Sequence, residues 1–386
     1  MYRAPPPRST NSLRVAIDAR YVREKPSGIG AYVHALVDRL PDLARSDHFF
    51  FWAHPLAPRP LSHAANTSAL TIRAGPTSPW PLVWPQCYAS FTDVDVFHSP
   101  HNTMPRGLPC ASVVTVHDVM AIERPDLHLQ GLERVAKRVY FRQAIWRALR
   151  QATRLVAQSK ATADRICMLL PEAAARLTVI WSAPDACFRP PEDLAAAKER
   201  SACLSGAQSP YLLVIGANMP SKRHDLAIAA FANAVPRPWR LVLVQHRKAR
   251  DGLVRLANRL QVADRIVWLD TVAREDLVTL IQAAGGLIQP SIYEGFGLPV
   301  LEAMACGCPV VASDIAALRE ITAGAALLFP AGDLDGLASA LRDFVRSTGL
   351  RQSLGEQGLS RARDFSWDHC ARETLKVYRD AAARRP

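Results

Sequence analysis

The chain begins twice with the same local pattern, and that repetition constrains its fold more than any other feature. The first instance is LRVAIDA (13–19), then PSGIG, then IGAYVHALVDRL, where Ile29, Val33, Leu36, Val37 and Leu40 lie on one helical face. The second is SPYLLVIGANMPSKRHDLAIAAFANA (209–234), again an apolar run, a turn and a helical pattern. Each is followed by short apolar runs alternating with longer amphipathic stretches. HFFFWA, DVDVFHSP, CASVVTVHD and RLVAQS read as strands in the first half, and WRLVLVQ, RIVWLD, GGLIQPS and PVVAS in the second. Such alternation predicts βαβ units, in which parallel strands are buried between helices. The expected fold is therefore α/β, with two Rossmann-like doubly wound parallel-sheet domains facing a central cleft. Boundaries are expected at 1–185 and 210–365, with the Pro-rich, polar stretch 186–209 as a linker. Residues 54–90 are rich in proline and carry no clear assignment. The carboxyl ends of both sheets, facing the cleft, are the expected ligand site.

At 386 residues the chain is long enough for two cores. No apolar run approaches the roughly 18 residues of a membrane span, and MYRAPPPRSTNS reads as a flexible arm without a signal core. The eight cysteines are scattered without a CxxC pair, which argues against a zinc site or disulfide framework and for a reducing cytoplasm. The formal charge is +12, and residues 1–185 carry 22 Lys+Arg against 14 Asp+Glu. That basic half suits an anionic partner such as a lipid headgroup or a diphosphate. No nucleic-acid motif accompanies it, so nucleic acid is not expected.

One segment carries chemistry directly: LIQPSIYEGFGLPVLEAMACGCPVVAS (287–313). A strand ends at a glycine turn, Pro299 suits the first helical position, and Gly307 stops the helix after about two turns. Backbone N–H groups at Gly297 and Leu298 then converge at a helix N-terminus, which favours phosphate. Glu294 in the turn and Glu302 on the helix flank that site. Carboxylates repel phosphate but accept hydrogen bonds from hydroxyls, and a nucleotide-sugar has hydroxyls on both sides of its diphosphate. The plainer alternative is that Glu302 complements the helix dipole while Glu294 is a solvated loop residue.

The whole segment resembles the E-x7-E signature of retaining glycosyltransferases of family 4, which have the two-domain GT-B fold. SGIGAYVHAL (27–36), VVTVHDV, LVAQSKATADRI and VIGANMPSKRHDLAIAAF are similar to further parts of that family. DFSWDHCARETLKVY (364–378) is similar to its C-terminal segment, which implies that 366–386 returns to the first domain. The resemblance implies Glu294 on the donor-sugar hydroxyls, Glu302 on the ribose, and backbone of Gly295, Phe296, Gly297 and Leu298 near sugar and diphosphate. It implies Lys222 beside the leaving diphosphate, His117 near the sugar and acceptor, and Gly28, Gly30 and Gly216 in phosphate-facing turns. Many members carry an arginine after the glycine matching Gly216, where this chain has Ala217; either Arg223 or Ser221 compensates, or phosphate binding differs.

Two features invite other readings. DVD at 93–95 matches the DxD string of metal-dependent transferases, but it precedes a strand and reads as loop. The basic stretch 131–154, with Arg134, Lys137, Arg138, Arg142, Arg147, Arg150 and Arg154 among Leu132, Val135, Val139, Ile145, Trp146 and Leu149, fits an anionic membrane surface or a solvated helix face equally well. The resulting expectation is a retaining, metal-independent hexosyltransferase, peripheral to the membrane or free in the cytoplasm. No cofactor is expected beyond the nucleotide-sugar substrate, best guessed as GDP-mannose. The acceptor is expected to be a saccharide or lipid-diphosphate-linked precursor. Alternatives are a UDP-sugar-dependent transferase, a small-glycoside synthase or phosphorylase, and a non-catalytic nucleotide-sugar-binding or scaffold protein.

Overall fold

A computed structural model describes residues 12–23, 27–58, 60–128, 135–206, 210–245 and 250–384. The N-terminal arm and the start of the basic stretch, with Leu132 and Arg134, lie outside the described residues. The chain divides into two compact units, Met1–Ser182 with Ser366–Pro386, and Ala183–Phe365.

Among the described residues the first unit holds seven strands: β1 (Arg14–Asp18), β2 (His48–Ala53), β3 (Thr67–Thr71), β4 (Val96–Ser99), β5 (Ala111–Val116), β6 (Arg154–Ala157) and β7 (Leu177–Val179). Their order is β3-β2-β1-β4-β5-β6-β7, and every pairing is parallel. The second unit holds β8 (Tyr211–Ile215), β9 (Arg240–Val244), β10 (Ile266–Leu269), β11 (Gly286–Gln289), β12 (Val310–Ser313) and β13 (Leu327–Phe329). Their order, β10-β9-β8-β11-β12-β13, is also parallel throughout. The central strands are buried from end to end. Continuous apolar runs are what a strand covered by helices on both faces requires. In the second unit Leu212, Val214, Phe231, Leu341 and Phe344 share one core cluster, and in the first Trp52, Phe91 and Phe97 share another.

In both sheets the chain runs outward from a central strand and then jumps back beside it. The reversal falls between β1 and β4 in the first unit and between β8 and β11 in the second. Loops leaving the carboxyl ends of these pairs part to opposite faces and leave a crevice where ligands bind.

Three strands were not anticipated. β3 lies in the unassigned Pro-rich stretch and is half exposed, and β7 and β13 are only three residues long. All three sit at sheet edges, where short and polar strands suffice. The stretch 186–209 corrects the expectation of a linker. It contains a helix, Leu194–Ser205, inside the second unit. Asp193 caps it by accepting from the Ala195 and Ala196 amides, and Gly206 ends it at φ +64; these caps and an alanine-rich start outweigh the flanking prolines.

The C-terminal helix Trp367–Ala383 belongs to the first unit. Ser366 caps it, and the Tyr378 hydroxyl meets His98 Nδ1 at 2.6 Å. Arg379 reaches Asp47, and Arg154 reaches Asp380. The basic helix Val135–Gln151 turns Ile145, Ala148 and Leu149 into a core cluster while Val139 stays exposed. Among the described residues no helix is long and apolar enough to cross a membrane.

Candidate active site

At the crevice of the second unit, β8 leaves through Gly216, whose φ of +128 suits glycine alone. The chain then makes a tight 3-10 turn at Pro220–Lys222 and passes Arg223 at φ 48 into the helix His224–Ala234. From β11 it passes Glu294 to Gly297, at φ +110, which is the N-cap of the helix Leu298–Ala305. A side chain at Gly297 would meet Leu318 Cδ2 at 2.6 Å, so conformation and packing both demand glycine. The helix starts at Leu298 and Pro299 is its second residue, one later than the sequence suggests. Proline is equally harmless there, because the first N–H groups of a helix have no intrahelical acceptor.

The two loops are joined. The Ile292 amide donates to the Ser221 carbonyl at 2.9 Å, and Lys222 Nζ donates to both Glu294 oxygens at 2.7 and 2.9 Å. Gln289, the last residue of β11, donates to Glu294 Oε1 at 2.7 Å and to Ser291 Oγ at 2.9 Å. Glu294 is therefore held from two sides.

Glu302 stands differently. It lies on the short helix with 9% of its surface exposed, and among the described residues no hydrogen bond or ion pair reaches its carboxylate. Burial pushes its pKa up to about 8; Arg274 draws it down and Asp185 pushes it further up. Arg274 is itself bound to Asp185 at 3.3 Å and lies against the Phe188 ring. A buried carboxyl without a hydrogen-bond partner is a group that a ligand hydroxyl can satisfy.

Other expected residues find more ordinary surroundings. Arg223 donates through Nε and Nη2 to Asp225 at 3.1 and 3.1 Å. Its Nε and Nη2 are thus engaged, and Ser221 is buried with its carbonyl used. The Phe296 ring is buried edge-on to Phe365, leaving only its backbone for the loop.

In the first unit, His117 follows β5 directly, as expected. Its amide donates to Asn102 Oδ1 at 2.7 Å, Nε2 lies 2.9 Å from the Pro100 carbonyl, and its ring meets Tyr32 edge-on. Burial lowers its pKa, while the Pro100 carbonyl and the Gln158 side chain oppose that. Gly28 and Gly30 open the helix Gly28–Leu43 rather than preceding it, and Ser27 caps it by accepting from the Gly30 amide. A Cβ at Gly30 would lie 2.7 Å from the Tyr21 carbonyl, so close backbone packing accounts for that glycine. Asp93 and Asp95 both hold Arg14 at the start of β1. Among the described residues no group of three His, Cys, Asp or Glu side chains could hold a metal ion.

Three features escaped sequence reasoning. Gln289 is a polar residue ending an otherwise apolar run, and Arg274 is a cation opening a helix, where the dipole disfavours it; both oddities were visible. The third is a buried network at the first crevice. Arg20 donates to Asp18 at 2.7 and 2.6 Å, His101 Nε2 lies 3.1 Å from Asp18, and Arg20 Nη1 reaches the Gly75 carbonyl at 3.0 Å. Nothing in the spacing of Asp18, Arg20 and His101 announces their meeting.

Residues 197–361 match the family model described as Glycosyl transferases group 1. Over 292 residues the chain is 29% identical to the O-antigen chain mannosyltransferase B of Escherichia coli, covering 74% of each. It is 32% identical over 243 residues to the D-inositol 3-phosphate glycosyltransferase of Kribbella flavida, spanning 60% of this chain and 57% of that one. Among solved structures, sucrose-phosphate synthase from Thermosynechococcus elongatus superposes with a TM-score of 0.75 at 21% identity, over 97% of this chain and 100% of the other. At that identity the likeness is one of fold. The chain thus matches the Glycosyl transferases group 1 model over residues 197–361, within a fold of two parallel-sheet Rossmann-like domains like that of its GT-B structural neighbours.

Proposed function

We propose that this protein transfers a hexose from a nucleotide-sugar to a hydroxyl of a saccharide or lipid-linked saccharide, with retention of anomeric configuration. The observation that carries the reading is Glu302: a buried carboxylate without a donor, on the helix whose N-terminus is built by Gly297 and Leu298. A ribose diol would supply the missing donors while the helix N-terminus faces the diphosphate. Lys222 then stands where negative charge grows on the departing diphosphate, which favours the transition state over the bound ground state. Glu294 takes a hydroxyl of the sugar, and His117 is assigned to the acceptor side in the first unit. In the reaction the bond from the anomeric carbon to the diphosphate breaks, the acceptor oxygen attacks the same face, and its proton passes to a diphosphate oxygen. No protein nucleophile and no metal is required by this course. Mannose from GDP-mannose is the preferred donor, because an E. coli mannosyltransferase is similar to the chain over 74% of its length.

The test is thermal unfolding of wild type and Glu302→Ala with GDP, UDP, ADP and dTDP. A ligand present at 100 times its dissociation constant adds about 2.7 kcal/mol. GDP is expected to stabilise the wild type and not the variant, and the anomeric product is expected to keep the donor's configuration by NMR. If none of the four diphosphates shifts the wild type, the donor-site reading fails. An inverted product would sink the mechanism alone.

A further inference from the structure

Glu294 has less hydrogen-bonding capacity left than its place in the loop suggests. A carboxylate oxygen accepts two hydrogen bonds in its plane. Oε1 already accepts one from Lys222 Nζ at 2.7 Å and one from Gln289 Nε2 at 2.7 Å; Oε2 accepts one from Lys222 at 2.9 Å. One acceptor position remains, on Oε2. The Gln289 amide cannot turn away at no cost, because its two N–H donors are both used, on Glu294 and on Ser291 Oγ. Turning it over would set its carbonyl oxygen against the carboxylate. Gln289 is 2% exposed at the end of β11, so water does not compete for these donors. Lys222, by contrast, has three N–H donors and spends two on Glu294. Its third can reach a diphosphate oxygen without breaking the pair.

From this arrangement we infer that Gln289 is a positioning residue for sugar selection: with Lys222 it saturates Glu294 Oε1, so that Glu294 reads one sugar hydroxyl through Oε2 and not an adjacent pair. The inference rests on the donor-site reading above and adds to it the way the sugar is read. Removing the Gln289 amide leaves Lys222 as the only clamp among the described residues. The carboxylate then rotates, and its orientation toward the sugar is lost. The diphosphate subsite, built from Lys222 and the Leu298 helix end, keeps its form. Sugar and diphosphate recognition should therefore separate in a Gln289 variant.

The experiment measures dissociation constants for matched pairs, GDP with GDP-mannose and UDP with UDP-glucose, on wild type, Gln289→Met and Ser291→Ala. Methionine matches glutamine in length and lacks its donors, and the unfolding temperature of each free variant checks its fold. For the pair that binds, Gln289→Met should weaken the nucleotide-sugar at least about tenfold, the scale of one hydrogen bond to a charged group, and lower kcat. The free diphosphate should stay within about twofold. Ser291→Ala should act in the same direction and less, since it frees the amide without removing it. Equal weakening of both ligands would mean that Gln289 supports the loop as a whole, and no weakening of either would mean that it does not orient Glu294; each overturns the inference. Monodeoxy analogues of the bound nucleotide-sugar supply the second arm. Glu294→Gln should be non-additive with loss of one hydroxyl only, and non-additivity at two positions would overturn the single-hydroxyl reading. If none of GDP, UDP, ADP and dTDP binds the wild type, the donor-site reading itself falls and takes this inference with it.

Discussion

The two crevices share one topology and differ in what their charges are doing. At the β1/β4 crevice, Asp18 and Arg20 are both fully buried and bound to each other, with His101 and the Gly75 carbonyl completing the shell. Burial alone would raise the Asp18 pKa, but Arg20 and then His101 outweigh it and hold the carboxyl well below its usual range. At the β8/β11 crevice, Glu302 is nearly as buried and, among the described residues, has no partner, while Glu294 keeps one open position and Lys222 one donor. One network is closed and the other is left incomplete. A buried carboxyl without a partner weakens a fold once it ionises, so the second crevice holds a cost that a ligand would offset.

The largest expected effect comes from opening the closed network. Asp18→Ala strands the Arg20 guanidinium inside the first unit and should cost about 3–5 kcal/mol, read as a fall in calorimetric unfolding temperature. Diphosphate binding at the second unit should survive below that temperature. A loss under about 1 kcal/mol would show that the pair is not a buried clamp, and the contrast would collapse.

Closing the open network should have the opposite sign. Glu302→Gln removes a charge that folding disfavours, so the free variant should be more stable than wild type at pH 8, while diphosphate affinity falls roughly tenfold or more. The pH dependence follows from the raised folded pKa. Ionisation is disfavoured on folding, so the destabilisation sets in above the ordinary value of 4.5 and is complete above about 8. Wild-type stability should decline across that window relative to Glu302→Gln, and diphosphate affinity should rise with pH toward and past 8. A flat comparison between the two proteins across this range would show that Glu302 is partnered after all.

The smallest effect concerns strain at the same crevice. Arg223 holds a left-handed φ of 48, and its pair with Asp225 is part-exposed. Arg223→Gly should stabilise the free protein by about 1 kcal/mol or less, measured by urea unfolding. A destabilised variant would make the Arg223–Asp225 contact structural and weaken the view that this loop trades stability for its shape.

How far the sequence could be read depended on whether the cause was local. β1, β8, β11 and the helix after Gly297 follow from apolar runs and a glycine turn within a few residues, and their places agree closely with the structure. The helix at 194–205 was hidden because its prolines looked louder than the Asp193 and Gly206 caps that define it. β3 was hidden because an edge strand such as TSALT needs no apolar face. At the candidate site, the residue types were legible and their valences were not. Glu294 and Glu302 look equivalent in the string, yet one is clamped by Lys222 and Gln289 and the other stands alone.

By itself, then, the sequence determined two parallel-sheet halves, the glycine-opened helix at 297–298 and the pair of carboxylates beside it, because periodicity, backbone conformation and turn chemistry act over short distances. Tertiary structure alone decided the strand order that brings β8 beside β11, the closure of Asp18 on Arg20 and His101, and the partners that each glutamate has or lacks. Those contacts join residues as far apart as 72 and 83 positions. Hydrogen bonding and desolvation act between atoms that folding brings together, and no spacing in the sequence encodes them.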